Sequence, residues 1–222
     1  MPALTRRAVC WVCGESHALA DCPLWQFAIA ENKRDHDSHA ARLGLRQGRQ
    51  GAGCILPADS VQTRDVPGDG GCMFHAFGLE VHARFPELLS HGGAEVRAPG
   101  RYWREYLVAF VTNPGSILDN QPVTEWVQTV ANKSVVDYTA YIRSQVRPWG
   151  GFFELCLLCA AWGRGLSCGV LQQTATGYRI LGVCGATPSN RSHFVFLLWT
   201  GAHYMRARVV KRARQTIQEW EV

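Results

Sequence analysis

A glycine-rich turn directly before a cysteine constrains this chain more than any other stretch. Residues 66–76 read Val-Pro-Gly-Asp-Gly-Gly-Cys-Met-Phe-His-Ala, and largely apolar residues follow to about Phe85. Because glycine adopts positive φ at little cost, the pattern predicts a tight turn and then a helix that begins at Cys72. The unpaired N–H groups and the dipole at a helix N-terminus favour the thiolate, which is the nucleophilic form of cysteine. Cys72 is therefore a candidate nucleophile; a buried cysteine behind a glycine turn is the alternative interpretation.

Two later stretches carry further motifs. Residues 149–155 read Trp-Gly-Gly-Phe-Phe-Glu-Leu and open a second apolar helix, while an apolar, strand-like run at 194–199 is followed by a turn and then His203 and Tyr204. In this order the three motifs resemble those of the ovarian-tumour (OTU) family of papain-like cysteine proteases. That family carries Asp-Gly-x-Cys-x-Phe-x-Ala at its nucleophile, a Trp-Gly-Gly-x-x-Glu-Leu helix start, and a late histidine followed by an aromatic residue. The resemblance covers about residues 61–211.

The resemblance implies a thiol protease that hydrolyses peptide or isopeptide bonds after the C-terminal Gly-Gly of ubiquitin or a ubiquitin-like protein. It assigns Cys72 as the nucleophile and His203 as the general base and acid, with Asp69 as a further site residue that shapes the loop. Backbone N–H groups of the glycine turn, including that of Cys72, are expected to hold the oxyanion.

One position departs from the family pattern. Many OTU enzymes have Asn or Asp two residues after the histidine, where this chain has Met205. A thioether is a poor acceptor for the imidazole N–H. The site would then work as a Cys–His dyad, or another group such as Asp69 or Asn190 would orient His203.

The first 25 residues contain a possible metal site. Cys10, Cys13, His17 and Cys22 supply the four ligands of a tetrahedral structural zinc, and they resemble a CCHC zinc knuckle. The usual knuckle has four residues between the second Cys and the His, whereas three stand there in this chain. Zinc (Zn²⁺) would provide the folding free energy of so short a segment. The alternative is a cysteine-containing tail without metal. Zinc knuckles commonly bind single-stranded nucleic acid, which is therefore a possible partner.

Composition divides the chain into four parts. We predict a zinc-knuckle-like segment at 1–25, a polar linker at 26–60, the OTU-like domain at 61–211 and a basic tail at 212–222. The start of the main domain is placed near Cys54 or Val61. If the domain starts at Cys54, residues 54–60 belong to it; if it starts at Val61, they belong to the linker.

The overall composition is that of a globular protein. The chain has 222 residues, 47% of them hydrophobic, and its net charge of +5 permits an acidic partner. The N-terminus lacks the apolar stretch of a secretory signal, so we expect an intracellular location, cytoplasmic or nuclear. In that reducing setting the nine cysteines are better explained as ligands, nucleophile and core residues than as a disulfide framework. The longest apolar run, 152–162, is too short to span a bilayer, so no membrane partner is expected.

The periodicity of the main domain predicts an α+β architecture, the papain-like OTU fold with an antiparallel sheet packed between helices. Helices are predicted at 99–111, from Glu125 to about Val146, and after Gly151. Strands are predicted at Leu166–Gln173, Tyr178–Val183, His193–Trp199 and His203–Val210.

Cys156 and Cys159 form a C-x-x-C pair that could make a second zinc site with Cys168 and Cys184, but small buried core cysteines are the favoured interpretation.

Two other functions fit the same sequence. A zinc knuckle beside a protease would suit a polyprotein-processing protease of a virus or mobile element, which self-cleavage of a precursor would reveal. Alternatively, the OTU-like domain has lost activity and the protein binds nucleic acid. Salt-sensitive binding to single-stranded RNA or DNA without hydrolysis would identify this function.

Overall fold

The computed structural model describes residues 55–86, 97–144, 150–163, 165–185 and 194–210 of the chain. The proposed zinc ligands Cys10, Cys13, His17 and Cys22 lie outside these residues. So do Asn190, the tail at 212–222 and the linker up to residue 54. The predictions made for them are therefore not tested by the structure.

The described residues contain five α-helices and eight strands, together with a 3₁₀ turn at Ala58–Ser60 and a π-helical turn at Val127–Ala131. The helices are α1 (Cys72–Arg84), α2 (Pro99–Thr112), α3 (Val123–Trp126), α4 (Val135–Arg143) and α5 (Phe152–Trp162). The strands are β1 (Ile55–Pro57), β2 (Val61–Arg64), β3 (Ile117–Leu118), β4 (Gln121–Pro122), β5 (Ser167–Thr174), β6 (Gly177–Gly185), β7 (Phe194–Trp199) and β8 (Tyr204–Val209). Across these described ranges, every helix is too short or too polar to cross a membrane.

The main sheet has six strands in the order β1-β6-β5-β7-β8-β2. Strands β1 and β2 lie at opposite edges, yet only the single 3₁₀ turn Ala58–Ser60 separates them. Six flat strands would place the two edges about 24 Å apart, and the chain from Pro57 to Val61 can span only about 14 Å. The sheet must therefore curl. It encloses a small apolar core made of Leu56, Val61, Leu171, Ile180, Phe196, Leu198, Ala207 and Val209.

The predicted α+β architecture agrees with this mixture of helices and a curled sheet. The prediction that the sheet is antiparallel is wrong for one pair of strands. Strand β5 pairs with β7 in parallel, while its other neighbour β6 runs antiparallel to it. The prediction assumed that consecutive strands pair with each other. Because β6 already occupies one edge of β5, β7 pairs with the other edge, and it enters there in the direction of β5.

Two predicted boundaries are corrected. Strand β1 begins at Ile55, inside the predicted linker 26–60, so the domain starts near the earlier of the two expected positions. The single helix predicted from Glu125 to Val146 is interrupted between α3 and α4. Asn132 adopts a left-handed conformation (φ 52°), and Ser134 then caps α4 by accepting a hydrogen bond from the Asp137 N–H at 3.1 Å. The apolar periodicity continues across the interruption, which is why it did not show in the pattern.

Helix α5 is the central buried helix, as its uniformly apolar sequence predicts. Its one acidic residue, Glu154, is also buried and is paired on both oxygens. The Gly151 N–H donates to Oε2 at 2.7 Å, and the Tyr138 hydroxyl donates to Oε1 at 2.8 Å. Burial and the nearby Glu154 carboxylate raise the pKa of Tyr138 well above its ordinary value. The glutamate of the Trp-Gly-Gly motif thus closes the first turn of α5 and ties it to α4.

Gly150 fixes the contact between this turn and the nucleophile helix. A Cβ at Gly150 would collide with the Met73 methyl group and with the Phe74 ring, both on α1. Only glycine fits there without a shift of the core. The second motif therefore sets the position of the helix that begins with the first.

Four cysteines converge where α5 packs on the hairpin of β5 and β6. Cys168 and Cys184 are cross-strand partners, and the Cys184 sulfur lies 4.0 Å from that of Cys159. Cys156 is buried on the same helix. Among the described residues, no group of three or more His, Cys, Asp or Glu side chains is placed to hold a metal ion. All four cysteines lie in the core, as the favoured interpretation predicts.

Candidate active site

Cys72 is the first residue of α1, directly after the glycine turn, as the sequence predicts. Gly70 has a positive φ of 77°, which explains the need for glycine in the turn. The Cys72 side chain is buried, and its sulfur accepts a hydrogen bond from the Tyr204 N–H at 3.4 Å. Since Tyr204 opens β8 and follows His203, this bond places the late histidine motif beside the nucleophile.

The charge state of Cys72 differs from the sequence-based expectation. Burial raises the pKa of the thiol to about 11, although hydrogen bonds from the N–H groups of Tyr204 and Met73 oppose the rise. The nearby Asp69 carboxylate raises this pKa further, and the Arg104 guanidinium lowers it. The helix N-terminus favours the thiolate, but desolvation outweighs it. At neutral pH Cys72 is therefore a thiol, and a base must remove its proton before the sulfur can act as a nucleophile.

His203 lies in the tight turn that joins β7 to β8. Its backbone N–H donates to the Thr200 hydroxyl at 3.1 Å, and its carbonyl accepts from the Thr200 N–H at 3.0 Å. Its Nε2 lies 2.8 Å from Oδ1 of Asp65. In the neutral imidazole a proton on Nε2 satisfies this contact and leaves Nδ1 as the nitrogen that can accept a proton. The Asp65 carboxylate thus holds the His203 ring through Nε2.

Asp65 is the site residue that the sequence analysis missed. It follows β2, and β2 pairs with β8 in the register Val61 to Val209 and Arg64 to Arg206. Continuing that register by one residue places Asp65 opposite Met205. Asp65 thus lies beside the position two residues after His203, where this chain has Met205. The hydrogen bonds from His203 and then from the Val66 N–H lower the pKa of Asp65, so it is ionised at neutral pH.

Asp69 shapes the loop but does not orient His203. Its Oδ1 accepts from the Gly71 N–H at 2.8 Å, and its Oδ2 lies 3.0 Å from Nε2 of His75. Burial would raise the pKa of Asp69, but the hydrogen bonds from His75 and Gly71 outweigh it and lower the pKa. The alternative in which Asp69 orients the imidazole of His203 is therefore wrong.

The engagement of the Gly71 N–H also changes the expected oxyanion site. This N–H is held by Asp69 and is not available to a substrate oxygen. The first N–H groups of a helix have no partner within the helix, so the N–H of Cys72 stays the expected donor. Oxyanion stabilisation is thus expected at the first turn of α1 instead of within the glycine turn.

Comparisons with models of known protein families and with curated proteins found no match. Solved structures do match. The viral OTU domain protease from Dera Ghazi Khan virus is 18% identical over 72% of this chain and 88% of that chain, with a TM-score of 0.51. The Hazara virus OTU bound to ubiquitin is 18% identical over 72% and 88% of the two chains, with a TM-score of 0.49. An OTU deubiquitinase from Wolbachia pipientis wMel is 19% identical over 71% and 96%, with a TM-score of 0.46. The first of these similarities shows that the described region has the OTU fold.

The raised pKa of Cys72 predicts how its alkylation depends on pH. The rate constant for iodoacetamide, followed by mass spectrometry of the peptide that contains Cys72, should rise about tenfold per pH unit through neutrality and level off near pH 11. In urea the same peptide should show a midpoint near the ordinary value of 9.0. An alkylation rate that is fast and does not change between pH 5 and 8 in the folded protein would instead indicate a preformed thiolate. It would contradict the raised pKa of Cys72.

Proposed function

We propose that this protein is an OTU-type thiol protease that hydrolyses peptide or isopeptide bonds after the C-terminal Gly-Gly of ubiquitin or a ubiquitin-like protein. One juxtaposition carries the proposal. The sulfur of Cys72 is hydrogen-bonded to the residue that follows His203, and the His203 imidazole is hydrogen-bonded to the ionised Asp65. Nucleophile, base and orienting acid are the three groups that acyl transfer by a cysteine needs. The OTU fold of the viral protease from Dera Ghazi Khan virus supports the same reaction class.

The reaction follows from these positions. His203 takes the proton from the Cys72 thiol as the sulfur attacks the scissile carbonyl, and the carbonyl oxygen becomes an oxyanion near the first turn of α1. The imidazolium then gives its proton to the leaving amine, which leaves a thioester on Cys72. Water, deprotonated by His203, hydrolyses the thioester and restores the thiol. Throughout, the Asp65 carboxylate stabilises the imidazolium and keeps the ring in one orientation.

The substrate class rests on the sequence resemblance. A narrow channel lined by the glycines of the two motifs would suit Gly-Gly, but Gly150 and Gly71 face side chains of their own domain. A Cβ at Gly150 would meet Met73, and one at Gly71 would lie 3.0 Å from Oδ1 of Asp69. Packing and loop geometry therefore already explain these two glycines, and the preference for ubiquitin needs a direct test.

A ubiquitin probe with a C-terminal electrophile should form a covalent adduct with the protein. Cys72→Ala should form none, since it lacks the nucleophile, and His203→Ala should form almost none because no base remains to activate the thiol. Asp69→Ala should react more slowly than the wild type. The adduct is measured by its shift in intact mass.

Two outcomes would count against this assignment. An adduct on Cys72→Ala at the wild-type rate would remove Cys72 from its role. No adduct from folded, reduced wild-type protein would argue against ubiquitin and would favour a ubiquitin-like modifier, a polyprotein substrate or the nucleic-acid-binding alternative.

Asp65→Asn should lower kcat strongly and leave KM nearly unchanged. The amide cannot stabilise the imidazolium and can hold the ring in the wrong tautomer, but Asp65 is largely exposed and water screens its charge, so we expect a loss of about 10- to 100-fold in kcat. The assay uses ubiquitin with a C-terminal fluorogenic amide. The matched control is Asp59→Asn, since Asp59 is exposed on the turn between β1 and β2. Equal kcat values for the two variants would show that Asp65 has no role in the reaction.

We also propose that the N-terminal segment binds one structural zinc ion. Three cysteines and one histidine are a donor set that suits tetrahedral zinc. Purified protein should contain about one zinc per chain by plasma mass spectrometry, and Cys13→Ser should lose it. The control Cys54→Ser should keep it, because Cys54 lies outside the motif. Wild-type protein without stoichiometric zinc would contradict the proposal. Binding of single-stranded nucleic acid by this segment stays a prediction of the sequence.

A further inference from the structure

A buried guanidinium lies beneath the nucleophile loop. Arg104 is on α2 and is only 6% exposed. A buried charge is costly unless its donors are paired, so the position of this side chain is closely determined by its acceptors. None of the three sequence motifs includes Arg104, and the proposed reaction does not use it.

Arg104 is held from several sides. One terminal nitrogen, Nη2, donates to the Gly70 carbonyl at 3.0 Å, and the other, Nη1, donates to the Ile142 carbonyl at 3.0 Å. The guanidinium also lies over the Phe74 ring, 4.5 Å from its centroid. These contacts connect three parts of the domain: the glycine turn, the end of α4 and the first turn of α1.

The bond to Gly70 completes a two-sided clamp on one peptide unit. Arg104 holds the carbonyl of the Gly70–Gly71 peptide, and Oδ1 of Asp69 holds the N–H of the same peptide. In a trans peptide these two groups point in opposite directions, so the two bonds together fix the rotation of the peptide plane. One further peptide, Gly71–Cys72, separates this plane from the nucleophile, so fixing the plane restrains the start of α1, from which the Cys72 N–H and sulfur project.

The guanidinium also acts on the nucleophile through its charge. Burial lowers the pKa of Arg104 to about 10, while Asp69 and Cys72 raise it. The group is therefore still a cation at neutral pH. Correspondingly, the Arg104 charge lowers the pKa of the Cys72 thiol, against the larger effect of desolvation. The hydrogen bonds of Arg104 thus hold the loop before Cys72 in place, and its charge favours the thiolate form of Cys72.

We propose that Arg104 is a positioning residue of the active site, which clamps the Gly70–Gly71 peptide and supplies the buried positive charge that favours the Cys72 thiolate. Its consequence for hydrolysis rests on the function proposed above. Its effect on the thiol itself does not depend on any substrate.

The test is alkylation of Cys72 by iodoacetamide as a function of pH, with Arg104→Gln compared to the wild type. Glutamine keeps a polar side chain but removes the charge and the fork of donors. We expect the rate at each pH below the plateau to fall about threefold, because loss of the Arg104 charge raises the thiol pKa. Loss of stability alone would lower the melting temperature without displacing this profile.

The matched control is Arg206→Gln. Arg206 is also largely buried, and its bond to Glu80 at 2.6 Å joins β8 to the third turn of α1, whereas Arg104 bonds the glycine turn. This variant should lose stability and keep the wild-type alkylation profile. Folded Arg104→Gln with a wild-type profile, or Arg206→Gln with the same displaced profile, would overturn the proposal.

A second variant, Arg104→Lys, keeps the proposal testable if Arg104→Gln does not fold. Arg104→Lys keeps the charge but cannot reach both carbonyls with one planar group, so its rate should fall between those of the wild type and Arg104→Gln. If Arg104→Gln does not fold, a wild-type profile in Arg104→Lys overturns the proposal. Because iodoacetamide needs no recognition of substrate, failure of the ubiquitin probe would count against ubiquitin as the substrate and would leave this test decisive.

Discussion

The pairing of β2 with β8 is the interaction on which the site depends. It joins two segments that are more than 130 residues apart, since Asp65 ends one and His203 begins the other. The same strand β8 carries the N–H that donates to the Cys72 sulfur. Edge pairing of β2 is possible only because the sheet curls and the short segment 55–64 reaches both of its edges. The curl of the sheet is therefore required both for the site and for the small apolar core that the sheet encloses.

The motifs could be predicted from the sequence because a physical constraint at each of them selects the residue type. A positive φ at Gly70 requires glycine, Gly150 has no room for a Cβ, and the Glu154 carboxylate closes the first turn of its own helix. The constraints at Gly70 and Glu154 act between near neighbours in the sequence, whereas that at Gly150 comes from the distant helix α1, but each of them selects one residue type strongly. The buried cysteines and the uniformly apolar α5 were readable for the same reason, since burial selects residue type directly.

What could not be predicted depends on pairing between distant strands. Asp65 carries no local signal, because an aspartate after a short strand is ordinary, and its role follows only from the register that sets it opposite Met205. The parallel pairing of β5 with β7 and the use of β1 as an edge strand were missed for the same reason. The charge state of Cys72 was also mispredicted. Helix position can be read from the sequence, whereas desolvation depends on how completely the rest of the domain covers the sulfur.

Two carboxylates with different partners divide the work of the site. Asp65 holds the imidazole, whereas Asp69 holds the Gly71 N–H and raises the pKa of Cys72 through its charge. Removing Asp69 would therefore loosen the loop, which slows the reaction, and would also remove a negative charge beside the sulfur, which favours the thiolate. The two effects oppose each other, and this is why the loss of activity is expected to be only partial at Asp69. At Asp65 the two effects do not oppose each other, because in the proposed reaction its position and its charge both stabilise the imidazolium of His203.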